Sequence, residues 1–386
     1  MHKKILKKCL YIIIQENIRN GRKLYDIIGN MTKTCIPRKG RNRMSAMTFI
    51  FGLVIMLAVL AGANSYIALR IYQGVKFVIP QTGAKLFLII GILVLIKSII
   101  GFTRSMLPVP AIIKNILGVI NSYWMGIFLC LLFYFAVADI VLLFLKIAGV
   151  ISKPMRQGVY FASGLTVIIL TMITVGYGIY NANQVKQVSY NIRLEKKALA
   201  SELNLVLISD LHLGAVNSEK RLEKVVQRIN NLEPDLVCIA GDIFDNDFYA
   251  IHNPDKAIHL LKSIKAQYGV YACLGNHDGG RTLNKMLDFL ERSNIKVLID
   301  EYVAIDERFI LAGRLDPSPI GRFGDMRRKK PAEVLSGIDV KLPVIVIDHN
   351  PANIDEYGSE VDLVLCGHTH RGQIFPGHLF TRAMYV

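Results

Sequence analysis

The chain has 386 residues, a formal net charge of +16 and a hydrophobic fraction of 52%. Charge and apolarity are unevenly placed: residues up to Asn181 hold 21 of the 46 Lys and Arg but only 3 of the 30 acids, leaving 25 cations against 27 acids in the rest. That pattern excludes a disordered or purely soluble protein and removes the net charge as a nucleic-acid signature of the second half.

Residues 1–46 carry 12 Lys and Arg. They read either as an amphipathic helix on an anionic membrane surface, with Ile5, Leu6 and Leu10 to Ile14 apolar, or as a basic tail. Four stretches then match the roughly 20 apolar residues that a helix needs to cross a bilayer: 47–69, 86–102, one within 119–145, and 158–180. A secretory leader would be a single short run, so 47–181 reads as a four-helix transmembrane region. Lys97 is expected to snorkel outward along its stem. Asp139 lies inside the third stretch with no base recognised at its depth, and is expected to face the bundle, neutral or paired with a neighbouring helix. Tyr123 and Trp124 read as interfacial anchors. The basic N-terminus favours the cytoplasm, and four crossings return residues 182–386 to the same side. The connecting loops, with Arg70 assigned to an outer one, hold six cations on each side and decide nothing.

Beyond residue 200 the period changes. Short β-rich runs at 203–209, 236–240, 270–274, 296–299, 309–312, 344–347 and 361–366 are near-continuously apolar, as strands covered on both faces are. Helical stripes fall between the early ones, at 218–231, 255–266 and 282–293. This alternation predicts a layered α/β domain over 182–386. The six cysteines are scattered without a CxxC pair, which excludes a disulfide framework or zinc ribbon.

Five of the apolar strands run into polar clusters, and in layered α/β domains sites form beyond the carboxyl ends of the strands. These clusters offer Asp210 and His212, Asp242, Asn276 and His277, His349, then His368 and His370. Carboxylate, imidazole and amide oxygen without thiolate suit Mn, Fe, Zn or similar divalent ions. In Asp210-Leu-His212 and His368-Thr-His370 an extended backbone aims alternate side chains to one side. One Asp shared between two ions would leave each with open positions for water and substrate.

In this order the motifs Asp210-Leu-His212, Gly241-Asp-Ile-Phe-Asp245, Gly275-Asn-His-Asp278, His349 and Gly367-His-Thr-His370 resemble the calcineurin-like metallophosphoesterase superfamily, in particular its bacterial membrane-anchored members. The resemblance covers roughly residues 200–386 and implies a four-layer α/β/β/α sandwich. It also implies two divalent metal ions. One would be held by Asp210, His212, Asp242 and His370, the other by Asp242, Asn276, His349 and His368, with Asp242 as the bridge. His277 would be the non-ligand histidine at the scissile phosphate, oriented by Asp278, and Asp245 would support the site from behind. The family adds strands beyond this motif, whereas the sequence ends 16 residues after His370, so a truncated domain with an unpaired sheet edge is expected.

The expected activity is hydrolysis of a phosphodiester or lipid-linked phosphoester by a membrane-anchored enzyme, with membrane lipids as neighbours and no specific nucleic-acid partner. The alternative is a non-enzymatic membrane scaffold or sensor that retains a metal-binding domain. The run Arg327 to Lys330, with Arg322 upstream, reads as a solvated loop or as a contact for anionic lipid or substrate phosphate.

Overall fold

The computed structural model describes residues 10–14, 46–103, 109–151, 156–194, 196, 202–216, 219–370 and 383. The chain forms two compact units, one from the described residues of Met1–Asn17, Val109–Val119 and Tyr180–Val386, the other from those of Ile18–Pro108 and Ile120–Ile179. Beyond His370 all but Ala383 lies outside the described residues, and with it the expected unpaired edge.

Four helices cover the four predicted stretches: α1 (Ala46–Val78), α2 (Ala84–Thr103), α3 (Ala111–Ile147) and α4 (Gln157–Ala182). Three segments, Val54–Val78, Ile112–Ile147 and Gln157–Ala182, are long and apolar enough to cross a membrane, while α2 carries a shorter apolar run, Phe87–Lys97. Ile67, Phe128, Leu131, Phe135 and Val167 pack between helices. Large apolar side chains such as Leu93, Phe144 and Met172 point outward instead, which water does not stabilise and a lipid phase would. Lys97 turns toward α3, its ammonium 4.9 Å from the Trp124 ring centroid and 3.5 Å from Asn121 Oδ1.

Asp139 is paired with a neighbouring helix, one of the two arrangements expected, but through a base that the sequence reading had placed elsewhere. Arg70, assigned there to an outer loop, is buried within α1 and pairs with Asp139. Tyr66 donates to the other Asp139 oxygen at 2.6 Å. The base was missed because α1 continues through Arg70 to Val78 instead of stopping at the end of the purely apolar run.

The α/β unit contains β1 (Leu10–Ile14), β2 (Lys186–Tyr190), β3 (Leu205–Ile208), α5 (Glu219–Asn231), β4 (Leu236–Ala240), α6 (Pro254–Lys262), β5 (Val270–Cys273), α7 (Leu283–Arg292), β6 (Ile295–Val297), β7 (Glu301–Ile305), β8 (Phe309–Arg314), α8 (Pro331–Val334), β9 (Val344–Asp348) and β10 (Leu363–Leu365). One sheet has the order β2-β1-β3-β4-β5-β6 and the other β10-β9-β8-β7. The pairs from β1 through β6 are parallel, as are β8-β9-β10, and the edge strands β2 and β7 run antiparallel to their neighbours. Leu10–Ile14, read from sequence as part of an amphipathic helix or a tail, is thus a strand inside the larger sheet.

Three apolar layers separate these elements. Val206, Ile208, Val237 and Ile239 pack on one face of the larger sheet with Leu222, Val226, Leu261 and Leu290 of α5–α7. The alternate residues of the same strands, among them Leu207 and Cys238, meet Leu311 and Ile347 of the smaller sheet. Ile310 and Val346 on the far face of that sheet pack with Val334 of α8. Burial on both faces explains the near-continuous apolar runs and brings five parallel strands to open their carboxyl ends at one edge.

Candidate metal centre

Each predicted ligand follows one of those strands within a few residues, and the backbone there is sharply bent. Asp210, His212, Asp242, His368 and His370 all have positive φ, between 43° and 73°. Non-glycine residues adopt this region at an energetic cost, and such strain concentrates at functional sites. Cross-links between loops hold it: Asp210 N donates to Gly241 O at 3.0 Å, His212 N to Asp242 O at 2.9 Å and Gly367 N to His349 O at 3.0 Å. Gly241, at φ +72°, approaches so closely that a Cβ there would lie 2.7 Å from Gly275 Cα and 2.8 Å from His349 Cγ.

The side chains converge in two groups that share Asp242. In the first, Asp210, His212, Asp242 and His370 each present a donor atom within 4.8 Å of the others. His370 Nε2 lies 3.3 Å from Asp210 Oδ1 and 3.1 Å from His212 Nε2. In the second group, His349 Nε2 lies 3.2 Å from Asp242 Oδ2 and 3.2 Å from Asn276 Oδ1. His368 Nδ1 is 2.9 Å from the same Asn276 oxygen and 3.2 Å from His349 Nε2.

This donor set fits a cation. His349 Nδ1 donates to Ala240 O at 2.7 Å, so in the neutral ring Nε2 carries a lone pair. That lone pair faces two oxygens and a second imidazole nitrogen, which repel it unless a proton or metal ion lies between. Burial opposes charge on His349, but the Asp242 carboxylate outweighs it and raises the ring to about 9. Asp242 is buried too, yet the hydrogen bond and charge of His349 hold its carboxyl down at about 2. His212 and His368 shift downward, first through burial.

His277 Nδ1 is buried without a hydrogen-bond partner among the described residues. Its ring stands edge-on to His212, with centroids 4.9 Å apart, and its backbone N donates to Asp242 Oδ1 at 2.8 Å. Asp278 does not orient it, contrary to the sequence expectation. The Asp278 carboxylate is fully buried and accepts from Phe244 N and Gly275 N, each at 2.8 Å. It therefore ties the loop after β4 to the loop after β5, and burial next to Asp242 raises it to about 7. The acid nearest His277 Nδ1 is Asp245, at 4.0 Å.

Sequence reasoning also passed over a buried polar network one residue from His349. Asp348, directly before it, accepts both terminal nitrogens of Arg328 at 3.0 and 2.7 Å and the Tyr357 hydroxyl at 2.6 Å. Arg328 had read as part of a solvated loop or of a contact for anionic lipid or substrate phosphate, and neither reading gave it a buried partner. Asp348 was visible only as the neighbour of a ligand, and nothing in its spacing announced a partner 20 residues away.

Residues 203–372 match the family model of the calcineurin-like phosphoesterases, a span that includes all nine predicted site residues. An uncharacterized metallophosphoesterase of Aquifex aeolicus is 36% identical over 186 residues, covering 48% of this chain and 70% of that protein. The chain belongs to the calcineurin-like phosphoesterases. A phosphoesterase relative from Danio rerio, described as a transmembrane protein with a metallophosphoesterase domain, is 28% identical over 285 residues, 67% of this chain and 62% of its own length. The UDP-2,3-diacylglucosamine pyrophosphatase LpxG of Chlamydia trachomatis is 25% identical over 250 residues, 53% of this chain and 74% of that enzyme. This phosphoesterase chain spans about two thirds of the length of the curated relatives it matches.

Proposed function

We propose that this chain is a membrane-anchored dimetal phosphoesterase that hydrolyses phosphodiester or lipid-linked phosphoester bonds. The convergence of two donor groups on Asp242 carries the reading. Asp210, His212, Asp242 and His370 would hold one ion, and Asp242, Asn276, His349 and His368 the other. Two divalent ions of the Mn, Fe or Zn type supply Lewis acidity and a water acidic enough to attack phosphorus near neutral pH. The protein supplies the rest. Asp242 fixes the spacing of the two groups and, through its bond from His277 N, the position of the His277 loop. His277 gives a proton to the leaving oxygen, with Asp245 beside its unpartnered Nδ1 to steady the charged ring. Asp278 acts from behind, as the brace between the two loops.

Strand pairing supports a particular membrane arrangement. Ile14 pairs with Lys186 and Leu10 with Tyr190, so the chain leaves and re-enters the same sheet at neighbouring positions. Paired strands lie on one side of a bilayer, because a sheet edge cannot be left open in hydrocarbon. The pairing favours an even number of crossings between the two strands, which supports α2 as the fourth span beside the three long apolar helices. The 12 cations within residues 1–46 favour the cytoplasmic side for both termini of this segment and for the catalytic domain. The Chlamydia relative's name specifies a diacylated sugar nucleotide, which supports a substrate held at a lipid surface.

The test is hydrolysis by the detergent-purified full chain. With manganese it should cleave bis-p-nitrophenyl phosphate and release headgroups from lipid-linked phosphoesters, and His277→Ala should slow both by about 10²- to 10⁴-fold. Manganese binding without hydrolysis of any phosphoester would instead support the scaffold or sensor reading.

A further inference from the structure

The Asp348 network goes further than packing requires. Arg314 is almost fully buried at the end of β8, 3.3 Å from Asp300 Oδ1, and donates to Lys329 O at 2.7 Å and Tyr357 Oη at 3.2 Å. Asp300 Oδ2 accepts Lys329 N at 2.8 Å. Arg328, besides grasping Asp348, donates to Leu315 O. Glu356 Oε2 lies 3.5 Å from a terminal nitrogen of each arginine. Burying two arginines and two aspartates costs more than an apolar filling of the same space, so such pairs contribute geometric definition more than stability.

What they define is the end of β9. Asp348 is the last residue of β9 and His349 follows it at a bend, with Asp348 facing Arg328 and Tyr357 while His349 faces Ala240 O and Asp242. The planar Arg328 fork fixes Asp348 in two directions at once, and with it the backbone that aims His349. The His349 carbonyl in turn accepts Gly367 N at 3.0 Å, which sets the start of the segment bearing His368. Both histidines belong to the group that includes Asn276.

We infer that Arg328 and Tyr357 are positioning residues for the buried ion. By clamping Asp348 they hold His349, and through the His349 carbonyl His368, in ligating geometry. The inference rests on the dimetal reading above and deepens it: a loop that reads as solvated surface sets the affinity of one of the two ions. Residues that support a ligand from behind typically change metal affinity by about 10- to 100-fold when altered.

The experiment is a manganese titration of the full chain by isothermal calorimetry after chelation, for the wild type, Arg328→Lys, Tyr357→Phe and the exposed neighbour Lys330→Gln as control. One ion should bind about 10- to 100-fold more weakly in Arg328→Lys, and less markedly so in Tyr357→Phe. The other ion should keep its affinity, Lys330→Gln should match the wild type, and excess manganese should restore turnover. Tyr357→Phe removes a single hydroxyl and covers the case in which Arg328→Lys does not fold. Unchanged affinities in both variants, or equal losses at both ions, would overturn the inference while leaving the dimetal reading intact. A wild-type chain that binds no manganese would overturn the dimetal reading, and the inference with it.

Discussion

The two groups of the candidate centre share Asp242 and add two histidines each, and they differ most in the burial of one histidine, His349. Asp210, His212 and His370 keep 10%, 16% and 29% of their side chains exposed, the shared Asp242 keeps 2%, and in the second group His349 keeps 0% while Asn276 and His368 are half-buried. The buried half is fixed by the protein itself, through Ala240 O on one side of His349 and the Arg328 clamp on the other. The open half borders His277 and the solvent edge. Burial of β9 between layers encloses His349, whereas the ends of β3 and β10 leave His212, His368 and His370 partly exposed.

Variants can break or sharpen that contrast. Asp242→Ala removes the group common to both halves, and should release both ions and reduce phosphodiester turnover to the uncatalysed level. Assays with and without manganese, combined with metal analysis, would check it. His277→Ala leaves both halves intact. It should lower kcat by about 10²- to 10⁴-fold while metal content stays at the wild-type value. The two acids near His277 should separate: Asp245→Asn should lower kcat by about 10- to 100-fold with unfolding unchanged. Asp278→Asn should lower the unfolding temperature through loss of charged acceptors for Phe244 N and Gly275 N. Gly241→Ala strains the turn before the shared Asp242, where a Cβ meets Gly275 and His349 at φ +72°. It should cost about 1–3 kcal/mol in denaturant unfolding of the metal-free chain. Asp139→Asn should leave turnover of a soluble diester unchanged and lower only the stability of the helical unit, where it strips Arg70 of its counter-charge.

How much of this was legible in the sequence depended on whether a signal was local. The strands β3, β4, β5, β8 and β9 lie within a residue or two of their predicted bounds, because burial on both faces writes an uninterrupted apolar run. The edge strands β2 and β7 were missed: Lys-Gln-Val-Ser-Tyr carries little apolar signal, and Glu-Tyr-Val-Ala-Ile, though apolar, is mostly exposed. Leu10–Ile14 was read as amphipathic helix or basic tail because five apolar residues among lysines fit either period, and its strand partners lie some 175 or more residues away at β2 and β3. The donor residues were legible because each carries its chemistry in its identity and its place at a strand end. Asp278's role was not, since a carboxylate that braces two loops looks in sequence like one that orients its neighbour. Nor were Arg70 with Asp139, or Arg328 with Asp348, where the partner is set by packing and not by spacing.

Anomalous scattering from crystals of the manganese-loaded chain would test the central claim most directly. Two peaks about 3.5–4 Å apart, with Asp242 between them, Asn276, His349 and His368 around one and Asp210, His212 and His370 around the other, is the predicted result. A single peak away from Asp242, or none at the strand ends, would contradict it.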